Sequence, residues 1–389
     1  MEVKSEKLEG KRVALCVTGS AAAIESPKIA RELSRNGADV TAYMTKASRR
    51  VIHSNAMQFA TGKDVVVKLT GKLEHLKEYD LVLVAPATAN SINKIACGIA
   101  DTAVTSLVFS TKSPVVIAPS MHLKMYKNAI LKENIEKLKR LGFSFIEPII
   151  KEGATKLAGI EDIVDAVIFE LYRKDLEGLK VLVSAGPTLE YLDPVRIITN
   201  KSSGKMGIEI AREAHFRGAD VTLVYGPGTE SVPIYIDVLR VETGEEMLNV
   251  VKKEIVKTDI FVSAAAVADF KVKGNNKKID SRSGKIDITL TPTKKILDEV
   301  KDRDCFKIGF KALHDVSGKE LANSAYKILK EHNLDLVVAN DVSKGILGYD
   351  ENEVFFVDKK KKVVHVPRTL KSKIAEKLWD SVAEELPRK

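Results

Sequence analysis

Residues 36–45 read NGADVTAYMT and residues 217–226 read RGADVTLVYG, so the string GADVT stands twice in the chain, at 37–41 and 218–222. Each copy follows an amphipathic helical stretch and starts an apolar strand, and each glycine is placed to end its helix in a left-handed cap. Working outward, the first copy is preceded by the apolar run RVALCVTG (12–19) and the second by LKVLVSAGP (179–187). Downstream stand DLVLVAPATAN (80–90) and DIFVSAAAVAD (259–269), short apolar strands that run into small residues. Strand, helix, strand, helix is the pattern of α/β domains with mostly parallel sheets. Shared pieces of this kind occur in any two nucleotide-binding α/β domains, a simpler account than a recent duplication. The join is expected near 173–178, after an amphipathic helix at 161–172, which gives domains at 1–175 and 176–389.

Bulk properties agree with two domains, because 389 residues exceed what one hydrophobic core usually serves. No apolar run approaches the roughly 20 residues that span a bilayer. The opening MEVKSEKLE is charged and lacks the apolar stretch of a signal peptide. Cys16, Cys97 and Cys305 are odd in number, far apart and without metal-ligand spacing, so a reducing, cytoplasmic setting is expected. The net charge of +9 is spread over interleaved acids and bases, and only 6% of residues are aromatic. With no recognition helix, zinc finger or RNA-binding strand pattern, this argues against nucleic acid and for attraction of small anions.

Ligands of open α/β sheets bind at the carboxyl ends of strands. In the first domain those ends read Gly19-Ser20-Ala21-Ala22-Ala23, Met44-Thr45-Lys46-Ala47-Ser48 and Ala85-Pro86-Ala87-Thr88-Ala89-Asn90. A fourth strand, PVVIAP, leads into PSMHLKMY (119–126). The spaced glycines of GxGxxG are absent, and a helix start after Gly19 offers amides to a phosphate. The ordered set TGSAAAIESPKI (18–29), PATAN (86–90) and PSMHLKMY resembles the flavin-binding cysteine decarboxylases, a flavodoxin-like family that includes phosphopantothenoylcysteine decarboxylases. The resemblance covers residues 11–172. It implies a flavodoxin-like (Rossmann-like) flavoprotein domain, with FMN held by Gly19, Ser20, Thr45, Ser48, Ala87, Thr88 and Asn90. It makes His75, in Leu73-Glu74-His75-Leu76, the catalytic histidine, and Met121 and His122 substrate contacts. The implied chemistry is oxidation of a cysteine side chain to a thioaldehyde, whose C=S accepts the electrons as CO2 leaves. A histidine titrating near neutrality suits the proton movement. Three departures stand out. His122 replaces the family's asparagine, the flap at 151–158 reads KEGATKLA without the cysteine of bacterial relatives, and the His75–Asp80 spacing is short.

The second domain carries SAGPTLEYLDPVRIITNKSSGKMG at 184–207. Its SSGK is not a phosphate-binding P-loop, because no glycine precedes Gly204 at the required spacing and Met206 replaces the magnesium-binding hydroxyl. The whole run, followed by AAAVADF (264–270), IGFKA (308–312) and DLVVAND (335–341), resembles the phosphopantothenate–cysteine ligases. That resemblance implies a Rossmann-like ligase domain that activates a carboxylate on a nucleotide α-phosphate and passes the acyl group to an amine. It places Asn200, as oxyanion donor, and Arg196 around the acyl-nucleotide. Ser202, Ser203 and Gly204 open a helix toward a phosphate, Asp269 meets the nucleotide, and Phe310 packs near its base. The essential lysine falls in Lys277-Lys278-Ile279-Asp280, at Lys278. The GF-x-AE motif of the ligases becomes Gly309-Phe310-Lys311-Ala312-Leu313 without its carboxylate, and displaced lysines leave Lys327 and Lys330 as phosphate contacts.

Together the two resemblances imply ligation of phosphopantothenate with cysteine, then decarboxylation of the product. CTP is the expected nucleotide, because fusion to the decarboxylase points to the prokaryotic class. Mg²⁺ is expected on phosphates and water, with no protein ligands assigned. The implied partners are these small molecules alone, with no nucleic acid and no membrane. The implied assembly is a homo-oligomer of trimers linked by dimers, a dodecamer. Flavin prenyl transfer on a related fold is set aside by the ligase half. The other alternative is an FMN-binding electron carrier or regulatory subunit with decayed sites. His122 and the missing flap cysteine motivate it, and Asn200, His75 and Lys278 oppose it.

Overall fold

In β1 (Arg12–Val17) every residue after the first is buried, as a strand covered on both faces requires. The computed structural model describes residues 3–151, 154–280, 284–285, 287–344 and 349–386. The chain forms two units, Met1–Tyr172 and Arg173–Lys389. In the first, β1 is followed by α1 (Ser26–Arg35), β2 (Asp39–Met44), α2 (Ser54–Thr61), β3 (Leu81–Ala87), α3 (Ala89–Ala96), α4 (Ala103–Ser110) and β4 (Val115–Pro119). Then come β5 (Met121–His122), α5 (Leu123–Tyr126), α6 (Ala129–Arg140), β6 (Ser144–Phe145), β7 (Ile149–Lys151), β8 (Ala154–Lys156) and α7 (Ile160–Leu171). The main sheet has the order β2-β1-β3-β4-β6 and is parallel throughout. A small antiparallel sheet, β5-β8-β7, stands beside it. The strand order reverses between β1 and β3, which opens a crevice at their carboxyl ends.

The second unit runs β9 (Lys180–Ala185), β10 (Leu189–Tyr191), β11 (Ile197–Thr199), α8 (Lys205–Phe216), β12 (Asp220–Tyr225), β13 (Asp237–Arg240), α9 (Gly244–Glu254) and β14 (Ile260–Ser263). It continues with β15 (Phe270–Val272), β16 (Leu290–Pro292), α10 (Ile296–Val300), β17 (Phe306–Leu313), α11 (Gly318–Glu331), β18 (Leu336–Asp341), β19 (Glu351–Asp358), β20 (Val363–Leu370) and α12 (Lys371–Glu385). Its large sheet has the order β13-β12-β9-β14-β17-β18-β19-β20. The first six strands are parallel, and β19 and β20 add an antiparallel edge. The switch point lies between β9 and β14. Both units are α/β with mostly parallel sheets, the class read from the sequence.

The repeated strings do the same work in each unit. Gly37 and Gly218 follow their helices with φ of 97° and 90°, the left-handed caps expected. Asp80 and Asp259, at the heads of the second pair of matching strings, accept the N–H of Arg12 (2.6 Å) and Lys180 (2.7 Å), fixing the start of β1 and β9. Among the described residues no helix is long and apolar enough to cross a membrane.

Candidate active sites

The crevice of the first unit is a cavity of ≈ 880 Å³, within the range of cofactor pockets. The turns after β1, β2, β3 and β4 wall it, with Thr155, Lys156 and Leu157 closing one side. Of the residues expected to hold a cofactor or substrate, Gly19, Ser20, Thr45, Thr88, Asn90, Met121 and His122 line it. Gly19 is required by close approach, since a Cβ there would stand 2.5 Å from that of Ala47. Ser20 Oγ donates to Ser120 Oγ at 3.0 Å, and Thr88 Oγ1 caps α3 by accepting the Ser91 N–H at 3.3 Å. Ser48 and Ala87 are not part of the lining. Ser48 fixes the β2 turn by donating its N–H to Thr45 Oγ1 (3.1 Å) and its hydroxyl to Thr45 O (2.9 Å), and Ala87 O accepts the Ser120 N–H at 3.0 Å.

The donor set fits a flavin mononucleotide. Serine and threonine hydroxyls and turn amides meet at the phosphate-binding end of an α/β crevice. Thr155 Oγ1 is buried in the wall with no hydrogen-bond partner, an acceptor and donor left for a ligand. Lys94, Thr102 and Thr105 are lining residues outside the motifs read from the sequence, and Thr155 enters from the flap segment. Thr102 and Thr105 form a capping box at the head of α4, a sequence signal of a helix start but not of a ligand. Of the flap segment, Glu152 and Gly153 lie outside the described residues.

His75 stands apart from the cavity lining. It lies on a 3-10 turn, Glu74–Leu76, and its carbonyl accepts the Ser110 hydroxyl. Tyr43 Oη donates to Glu74 O at 2.7 Å, and the Glu74 carboxylate accepts the Thr70 N–H at 2.9 Å and the Thr70 hydroxyl. Those hydrogen bonds push the Glu74 carboxyl down to about 2. The turn is thus held on both sides, while His75 Nδ1 is buried with no partner. Exposed Leu73, Leu76 and Phe109 surround this turn and the adjacent end of α4.

At the second crevice, the motif at 184–207 leaves β9 and returns as α8. Asn200 Nδ2 donates to Ala266 O and Val267 O, both at 3.1 Å, so its amide bridges the turn after β14. Arg196 Nη1 donates to Asp193 Oδ2 (2.5 Å) and Ile279 O (3.0 Å). Burial raises the Asp193 carboxyl, but the N–H groups of Ile279, Val195 and Arg196 and the Arg196 guanidinium outweigh it and hold it well below the usual carboxylate range. Gly204 takes φ +86° at the head of α8, where a Cβ would stand 2.6 Å from the Tyr225 ring. Ser202 Oγ accepts the Gly204 N–H and Ser203 Oγ the Lys205 N–H, each at 3.3 Å. Asp269 is exposed at the end of the Asn200-bridged turn, and Phe310 packs half-buried at the middle of β17. Lys278 is exposed beside Ile279.

Lys327 and Lys330, expected as phosphate contacts, lie away from the start of α11. Both lie on the exposed side of α11, and Lys330 Nζ sits 4.9 Å from the Tyr326 ring centroid. In a parallel β/α unit the helix begins at the crevice and runs away from it. At ~1.5 Å per residue these lysines are ~14–18 Å along the helix from its start, toward the opposite edge of the sheet. Spacing along the sequence conceals this reversal. Among the described residues no group of three His, Cys, Asp or Glu stands together to hold a metal.

Two doubly wound units, one with a crevice built for a flavin and one carrying a ligase motif at its switch point, define a bifunctional flavoprotein enzyme. Residues 1–171 match the Flavoprotein family, and residues 176–386 match the DNA/pantothenate metabolism flavoprotein C-terminal domain. Over 400 aligned residues the chain is 49% identical to the coenzyme A biosynthesis bifunctional protein CoaBC of Thermococcus kodakarensis, covering 98% of this chain and 97% of that protein. It is 40% identical to the protein of the same name from Methanocaldococcus jannaschii, over 92% of this chain and 90% of that one. A solved C-terminal domain of a CoaBC protein is similar at 30% identity and TM-score 0.46, covering 55% of this chain and 97% of that one. The chain belongs to the family of bifunctional coenzyme A biosynthesis proteins.

Proposed function

We propose that the unit at 173–389 joins 4′-phosphopantothenate to cysteine at the expense of CTP, and that the unit at 1–172 decarboxylates the product to 4′-phosphopantetheine. The observation that carries this reading is the meeting, on one chain, of the flavin-fitting cavity and the Asp193–Arg196–Asn200 arrangement at the second switch point. In the second unit, the cytidylyl group of CTP passes to the substrate carboxylate with loss of pyrophosphate. The cysteine amine then displaces CMP. Arg196 offers its remaining guanidinium N–H groups to the negative charge that develops. Asn200 orders the 266–267 turn through both of its amide N–H bonds, and its expected part as oxyanion donor requires one of these N–H bonds to turn from the backbone to the substrate. Mg²⁺ enters on the triphosphate, held by phosphate and water oxygens.

In the first unit, bound FMN supplies the two-electron oxidation that makes C=S an electron sink, and then its reversal. Gly19, Ser20 and Thr88 bind at the phosphate end. Met121 and His122 border the substrate side, where His122 offers an imidazole in place of an amide. His75 moves the proton. Because His75 does not line the cavity of its own chain while apolar Leu73, Leu76 and Phe109 stand exposed beside it, its proton transfer serves the cavity of a neighbouring copy. That supports the trimeric reading, with dimers through the second unit. The chain works in the cytoplasm.

The test uses FMN-loaded protein and synthetic phosphopantothenoylcysteine. Wild type releases CO2 and forms phosphopantetheine, while His75→Asn binds FMN but slows decarboxylation at least about 100-fold, the loss expected of a proton-transfer group. Full activity in His75→Asn removes the histidine from the mechanism. Failure of wild type to release CO2 removes the decarboxylase reading.

A further inference from the structure

Asp193 belongs to the motif at 184–207, yet neither the motif's chemistry nor the proposed mechanism uses it directly. Its side chain is fully buried, and its two oxygens join segments more than eighty residues apart. Oδ1 accepts the N–H groups of Val195 (2.8 Å) and Arg196 (2.7 Å), which closes a tight turn. Oδ2 accepts Arg196 Nη1 (2.5 Å) and the Ile279 N–H (3.1 Å). Arg196 Nη1 also donates to Ile279 O at 3.0 Å. Ile279 is therefore gripped at both its N–H and its carbonyl by the Asp193–Arg196 pair. Four residues earlier, the Asn275 N–H donates to Leu192 O at 2.9 Å. The stretch 275–279, which carries Lys277 and Lys278, is tied at both ends to the turn that carries Arg196.

This stretch has neither helix nor strand to order it, and its lysines are exposed. Without the two ties, the backbone entropy of the stretch would have to be lost at each turnover. A preset stretch removes that cost before substrate arrives. A carboxylate is the one group that accepts from all four donors at once; an amide would turn an N–H toward two of them.

We propose that Asp193 is a positioning residue of the ligation site: it sets the Arg196 guanidinium and the Lys278 segment in one fixed relation, so that both cations face the same anionic group. The inference rests on the ligase reading above. It makes Asp193 act through Lys278 and Arg196, without touching substrate.

The test is a double-mutant cycle on the full-length, FMN-loaded protein, following pyrophosphate release and adduct formation from phosphopantothenate, cysteine and CTP. Asp193→Asn and Lys278→Ala are each expected to lower kcat at least about tenfold. Asp193→Asn placed on Lys278→Ala is expected to lower kcat by a smaller factor than it does on wild type, leaving only the part that acts through Arg196, the non-additivity of coupled residues. Trypsin is expected to cut after Lys277 and Lys278 faster in Asp193→Asn than in wild type, while decarboxylation of synthetic substrate stays within about twofold of wild type, since the first unit is untouched. Should Asp193→Asn fold poorly, Ile279→Pro removes the N–H that Oδ2 accepts and leaves Asp193 in place, and the same pattern is expected. Multiplying effects in the cycle, an unchanged rate of tryptic cutting, or wild-type ligation by both variants would overturn the proposal. Wild type that forms no adduct would instead overturn the ligase reading beneath it.

Discussion

His215, on α8, stacks on Tyr235 with ring centroids 4.4 Å apart. Burial, and to a smaller degree Lys174, lowers its pKa from 6.5 to about 4. The fold therefore holds the neutral ring, whereas the unfolded chain takes up a proton below about 6.5. The stability this group contributes is complete above pH 6.5 and is lost as the pH falls toward 4. Urea midpoints of wild type and His215→Phe, which retains the stacking, are expected to run parallel above pH 7 and to diverge between pH 6.5 and 4, with wild type falling faster. Parallel curves throughout would show that His215 takes up its proton as readily in the fold as in the unfolded chain. One residue pair along, Arg217 is fully buried and bonds Glu213 (2.9 Å), Asp175 (3.3 Å), Asp380 (2.7 Å) and the Glu376 carbonyl (2.8 Å). Arg217→Met leaves the buried Glu213 carboxylate without its cation, and a loss of about 3–5 kcal/mol is expected by denaturant titration. Arg217 carries no sequence signal of this role, because it reads as an ordinary surface residue at a helix end.

At the scale of elements, the strands were the most legible part of the chain. Buried parallel strands are continuous apolar runs, and RVALCVTG, DLVLVAP and LKVLVSA each contain a central strand, Arg12–Val17, Leu81–Ala87 and Lys180–Ala185. The left-handed glycines after α1 and α8 were equally plain, since few other residues take that conformation. Residues that reach a site from the far side of a turn were not legible. Thr102 and Thr105 line the first cavity from the head of α4, because the tertiary path folds them over the crevice. Lys327 and Lys330 precede the β18 strand in sequence, and α11 places them toward its far end, which spacing alone does not show. The 3-10 turn of His75 supplies a prediction at this scale. Mixed oligomers of His75→Asn with an Asn90→Asp cavity variant are expected to recover decarboxylase activity that neither has alone, since a wild-type turn then meets a wild-type cavity. No recovery after subunit exchange would place His75 in its own chain's site.

At the scale of the whole molecule, two doubly wound α/β units carry different chemistry because their strand-end turns differ. After β1 the chain supplies hydroxyls and an open cavity, whereas after β9 it supplies a long motif that returns through Asp193, Arg196 and Asn200. The fold class was legible because periodicity reports it. The chemistry was legible because whole motifs were present, although spacing alone does not tell which side chains touch ligand and which, like Asp193 and Ser48, hold the turns that do. Both activities reside in this chain and act in series. The most direct measurement is a coupled assay of FMN-loaded protein with phosphopantothenate, cysteine, Mg²⁺ and either CTP or ATP, with mass spectrometry following adduct and phosphopantetheine. Phosphopantetheine is expected with CTP, with one pyrophosphate and one CO2 released per product. Adduct that accumulates without CO2 loss would contradict the role of the first unit, and absence of both products and of pyrophosphate would contradict both activities.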